Sequence, residues 1–250
     1  MNGSAEKLAA LRATLASRGL ETLIANPRIP LGFAPADMAL KGGLERGAVH
    51  EVYAATNAEA SATAFTAGLA TRVAGKKKIL WIRQDYSALE FGELSATGFL
   101  ELGIDPSKIL LVCTAHADDA IKAASDALSC AALGAVVVEI PDTPKILDLV
   151  TSRRLTLAAA QGNVPVFLLR FAAKPDVSTA ETRWLVRARA SPEEEESWGQ
   201  PVFETDLVRN RHGRTGRWVM EWNCDEGLFG EPCRGESAHR RAVVSASVDR

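Results

Sequence analysis

From residue 48 to residue 171, short and mostly apolar runs alternate with stretches of helical character, and no other feature of the chain limits its fold as strongly. The runs are AVHEVYA (48–54), KKILWI (77–82), LLVCTA (110–115), AVVVEI (135–140) and VPVFLLRF (164–171). Runs this short and this continuously apolar mark strands buried on both faces, and such strands need a parallel sheet covered by helices on each side. The intervening segments, Asn57 to Ala70, Ser87 to Leu102, Ala117 to Leu133 and Lys145 to Gln161, are long enough to be the crossover helices. The predicted class is therefore α/β, a three-layer sandwich with a mainly parallel central sheet.

The two ends of the chain read differently. Leu8, Leu11 and Leu15 fall at helical spacing over residues 4–18, with Ser4 to cap and Gly19 to stop, which predicts an amphipathic helix in need of a partner surface. Pro27, Pro30 and Pro35 then mark an irregular connector leading to Gly42 and Gly43. After residue 180, RWLVRARA (183–190), PVFETDLVRNR (201–211) and GRWVMEWN (216–223) follow one another without helices, so they should form antiparallel hairpins at one sheet edge. Past Asn223 the composition turns to Gly, Pro, Arg and Ser, as in a flexible tail. The expected division is 1–30 for the helix and connector, 31–224 for the core and 225–250 for the tail.

Composition excludes more than it assigns. A net charge of -2 gives no global reason for nucleic-acid binding, so any basic contact must be local. Charges recur every few residues through the first 27 positions, with neither a secretory signal nor an apolar span, which predicts a cytoplasmic protein with no membrane contact. Of the four cysteines, Cys224 and Cys233 could join His239 at a zinc ion, but their eight-residue gap and missing fourth ligand argue for free thiols and no metal. The histidines fall in unrelated segments and suggest no catalytic triad.

Residues 48–70 have the outline of a phosphate-binding loop, a strand running through a loop into a helix whose amides can hold an anion. The side chains for that chemistry are missing: a working loop needs glycines for close backbone approach, a lysine for the phosphates and a hydroxyl for magnesium. The segment resembles that of RecA, in which the strand continues into Gly-Pro-Glu-Ser-Ser-Gly-Lys-Thr. Glu51, Val52 and Tyr53 match the strand end, but Ala54 stands at the first glycine, Glu59 at the second and Ala60 at the lysine; Ser61 keeps the hydroxyl. The resemblance continues downstream. It places Asp85 at the water-activating glutamate, Glu139 at the magnesium-binding aspartate of the Walker B strand, and Arg170 at the phosphate-sensing glutamine. Arg209 and Arg211 fall where RecA reaches nucleotide on a neighbouring subunit. Replacing a lysine by Ala60 removes a cation, and Glu59 adds an anion that repels a phosphate oxygen by about 1–4 kcal/mol at ~4 Å. The loop thus reads as a remnant, with no nucleotide, no other cofactor and no catalytic residue expected.

A RecA-like chain of this size with a lost loop and a hairpin VRNRHGRTGRWVMEWN resembles the ImuA family over about residues 5–225. The resemblance implies a non-catalytic role in SOS-induced translesion synthesis beside ImuB and an alternative DNA polymerase III α subunit, with RecA a further partner. It also implies association with the nucleoid during DNA damage. Both DNA-binding loops of RecA are shortened, because TPK (143–145) leads straight into a helix and the second loop is only AAKPDVSTA. The candidate contact surface is Arg209, Arg211, Arg214 and Arg217 with Trp198, where solvation or ion pairing is the competing explanation. Arg187 and Arg189 could join that patch or pair with Glu193 to Glu196. Two other readings stay open: a weak ATPase or recombination modulator using Ser61, Asp85 and Glu139, and a cell-division inhibitor resembling SulA.

Overall fold

The computed structural model describes residues 27–54, 60–191 and 199–232. The expected helix at 4–18, Glu59, Glu193 to Glu196, Trp198, Cys233, His239 and the rest of the tail lie outside them. The described chain begins with a small ribbon, β1 (Arg28–Ile29) antiparallel to β2 (Leu44–Glu45), closed over helix α1 (Ala34–Ala39). The connector expected here is therefore partly regular. Asp37 fixes its turn by accepting the Leu31 and Gly32 amides at 2.7 and 3.0 Å.

From there strands and helices alternate: β3 (Val49–Ala54), α2 (Ala60–Ala74), β4 (Lys78–Gln84), α3 (Ser87–Phe91), α4 (Ala96–Glu101), β5 (Ile109–Thr114), α5 (Ala117–Ala127), β6 (Leu133–Glu139), α6 (Leu149–Gly162) and β7 (Val166–Arg170). The chain then adds β8 (Thr182–Arg189), β9 (Val202–Asn210), β10 (Gly216–Asn223) and β11 (Leu228–Gly230). One nine-stranded sheet results, in the order β11-β10-β9-β8-β3-β7-β6-β4-β5. β8, β3, β7, β6, β4 and β5 run parallel to one another, and β9, β10 and β11 extend the β8 side in antiparallel fashion.

Alternation along each central strand serves two cores. On β6, Ala135 and Val137 face α2 together with Phe65, Trp81 and Trp184, while Val136 and Val138 face α5 and α6 together with Ala120, Leu155 and Ala159. This is the three-layer α/β arrangement with antiparallel strands at one side of the sheet. Several element limits depart from the sequence reading, among them the helix expected to end at Ala70, which runs on to Ala74. The stretch Ser87 to Leu102 is two short helices, since Gly92 turns the chain at φ 86° and Ser95 starts a new helix by accepting the Gly98 amide. The helix expected over Ala117 to Leu133 ends at Ala127. The one expected from Lys145 begins at Leu149, where Asp148 accepts the Thr151 amide at 2.7 Å. Finally, β11 carries the sheet past Asn223, into the segment expected to begin the tail.

Candidate functional site

Ala54, Ala60, Ser61, Asp85, Glu139 and Arg170 all lie at or just past the carboxyl ends of the parallel strands, or at the start of the helix that follows β3. Ligands of open α/β sheets bind at this edge, because strand ends splay there and helix N-termini face outward. What the side chains do there differs from nucleotide chemistry.

Glu139 ends β6 and is buried. The Trp81 indole donates to its Oε2 at 3.2 Å, and Arg83 Nη2 donates to its Oε1 at 3.0 Å. Arg83 is equally buried, and the same Nη2 also donates to the Gly92 carbonyl at 2.9 Å. Burial pushes the Glu139 carboxyl above its ordinary range, while Arg83 and Trp81 pull it back. Both carboxylate oxygens thus already have donors inside the sheet. Asp85 is exposed just beyond β4, with its amide on the Thr114 carbonyl, and among the described residues it makes no bond to Glu139. The Ser61 hydroxyl is buried and has no hydrogen-bond partner among the described residues. Ala54 is buried at the end of β3, and Ala60 opens α2 at the rim of a pocket that also reaches Arg83 and Glu139.

Arg170 is held by carbonyls. Its Nε donates to Ile140 at 3.0 Å and its Nη2 to Asp142, which fastens the turn leaving β6, where Asp142 takes a left-handed φ of 55°. Its guanidinium stacks 5.5 Å from the centre of the Tyr53 ring, Arg183 stacks 5.6 Å from the same ring, and Arg183 Nε bonds Glu51 at 2.6 Å. Burial, ahead of the charges around it, lowers the Arg170 pKa.

Sequence reasoning missed Arg83, Trp81 and the partnership of Glu51. The signal for each was a polar or bulky side chain inside an apolar strand: period two puts Trp81 and Arg83 on one face of LWIRQ, and Glu51 stands opposite Arg183 in the sheet register.

The basic hairpin is largely paired. Arg217 clasps both oxygens of Asp206, Arg187 reaches Asp206 at 3.3 Å and Glu204 at 4.0 Å, and Arg211 donates to the Thr179 carbonyl at 3.2 Å. The carboxylates that meet the arginines are thus on neighbouring strands. Arg214 is exposed, and Arg209 is half-buried; that burial, with the charges of Arg183 and Arg211 beside it, lowers its pKa. Trp81, Trp184 and Trp222 are core residues. Glu45, Glu181 and His212 have ligand atoms within 4.8 Å of one another, but Arg28 already supplies a cation there, 2.7 Å from Glu45 and 3.6 Å from Glu181. Burial pushes the Cys224 thiol up to about 11, away from the thiolate that zinc would need.

Fold and site together define a three-layer α/β protein with a buried arginine–glutamate pair at the ligand-binding edge of its sheet. No family model matches the chain. Protein ImuA of Caulobacter vibrioides, in two strains, is 30% identical to it over 199 residues, which span 72% of this chain and 77% of that protein. The chain belongs to the ImuA family. Among the described residues no helix is long and apolar enough to cross a membrane.

Proposed function

We propose that the protein is a non-catalytic, RecA-like accessory component of mutagenic translesion DNA synthesis. It acts through contacts with ImuB and an alternative DNA polymerase III α subunit. Family membership supports the pathway, and the commitment of both Glu139 oxygens to Trp81 and Arg83 supports the absence of nucleotide chemistry. A magnesium–triphosphate complex would need that carboxylate, and removing it from Arg83 leaves a buried charge unpaired at a cost of about 3–5 kcal/mol. Ala60 offers no cation in exchange.

Arg209 and Arg214, the hairpin arginines whose side chains make neither a hydrogen bond nor an ion pair among the described residues, form the candidate partner surface, since Arg217 is held by Asp206 and Arg211 by the Thr179 carbonyl. Co-purification from damaged cells tests this reading. ImuB and the polymerase subunit should be recovered with the parent chain and in reduced amount with the pair Arg209→Glu and Arg214→Glu. Recovery of a tubulin-like division protein without a polymerase would instead favour the SulA-like alternative.

A further inference from the structure

On the α2 side of the sheet a pocket of about 220 Å3 opens between α2 and the segment joining α3 to α4. Its walls are apolar, formed by Ala64 and Ala67 of α2, Phe91, Phe99, Leu102 and Phe171. Phe91 and Phe171 stack with centroids 4.7 Å apart and planes 16° apart, so the lining includes a stacked aromatic pair. The floor is polar, closed by Arg83 and Glu139. Arg83 bonds Gly92 and Glu139 through Nη2 alone. Its Nε and Nη1 are buried without a hydrogen-bond partner among the described residues. Native proteins seldom leave buried donors without an acceptor, so these two nitrogens call for a partner, either water or a bound group.

One observation sets the charge of the occupant. Glu93, whose side chain is 82% exposed, holds Oε2 3.9 Å from Arg83 Nη1. The chain thus already brings a carboxylate of its own to the mouth of the pocket.

We propose that this pocket binds a small monocarboxylic acid with a flat apolar body. The body lies against Phe91, Phe99 and Phe171, and the carboxylate replaces Glu93 at Arg83 Nη1. The space suits a single ring, since an apolar cavity of about 150 Å3 is enough for benzene. Arg83 Nη2 stays with Glu139, so the new bond forms without breaking the buried pair.

The test is a titration of the full chain with phenylacetate and, separately, with neutral phenylacetamide, followed by amide NMR. Phenylacetate should saturate and shift the signals of pocket residues, and the amide should bind several-fold more weakly. Glu93→Gln should tighten phenylacetate about two- to fivefold, the factor expected for one exposed carboxylate, and leave the amide unchanged. Ala64→Leu, which fills the pocket, should abolish both. Should that variant not fold, Glu93→Gln on its exposed side chain still decides. Absence of saturation, an amide as good as the acid, or no response to Glu93→Gln would overturn the proposal. A nucleotide titration on the same sample keeps the two readings apart: ATP binding with acid binding intact counts against the accessory role alone, and failure of the acid alone counts only against the pocket.

Discussion

His50 shows how tightly single side chains are specified here. It is fully buried on β3, and its Nε2 lies 3.0 Å from the Glu45 carbonyl, which can only accept, so Nε2 carries the proton. Nδ1 then accepts from the Thr182 hydroxyl at 2.8 Å, and the Trp184 indole donates to that hydroxyl at 3.2 Å. Burial lowers the His50 pKa from 6.5 to about 4, with the Glu45 carbonyl and Glu181 opposing. The folded value lies below the unfolded one, so its contribution is complete above pH 6.5 and is lost as pH falls toward 4, up to about 3 kcal/mol in all. Urea unfolding should show a loss of about 2 kcal/mol from this group between roughly pH 7 and pH 5. His50→Gln should flatten that slope, and an unchanged slope would assign the loss elsewhere. The buried pair makes a second residue-scale prediction. Arg83→Met alone should cost about 3–5 kcal/mol in chemical denaturation, and Arg83→Met with Glu139→Leu should recover most of it. Equal losses in the single and double variants would contradict the pairing. The place of Glu139 at the end of a strand was legible from AVVVEI, but its partner was not. Arg83 meets it only because β4 pairs with β6, with Trp81 beside Val137 and Ile82 beside Val138, and a single sequence does not state that register.

At the scale of elements, the strands were the most legible part, because these central ones are buried on both faces and are mostly apolar. Helix limits were less so, since caps decide them. Gly92 breaks one expected helix and Asp148 delays the start of another. The strand β11 was hidden for a different reason. Three residues carry no periodicity, and their placement comes from tertiary packing. Phe229 packs at centroid distances of 4.8 Å from Trp222 and 5.1 Å from Phe65, and its amide donates to the Leu31 carbonyl. Gly68 leaves it room, since a Cβ there would lie 3.0 Å from both Phe229 and Trp222. Phe229→Ala should therefore destabilise the fold by about 3–5 kcal/mol in thermal or chemical unfolding. A change within ~0.5 kcal/mol, as for a surface substitution, would mean that β11 is not part of the cooperative core.

For the whole molecule, the parallel part of the sheet keeps the ligand-binding edge of an α/β protein, but internal bonds occupy two of the groups that would serve a nucleotide there, while the Ser61 hydroxyl has no partner among the described residues. Glu139 is held by Arg83 and Trp81, and Arg170 by the carbonyls of Ile140 and Asp142. We propose that this edge holds no nucleotide and that the protein works through its partners. The most direct measurement is a titration with a fluorescent ATP analogue and magnesium, run beside RecA in the same salt. The account predicts saturation for RecA and none for this chain. Saturable binding in the micromolar range, abolished by Ser61→Ala or by Glu139→Ala in a variant that remains folded, would contradict it.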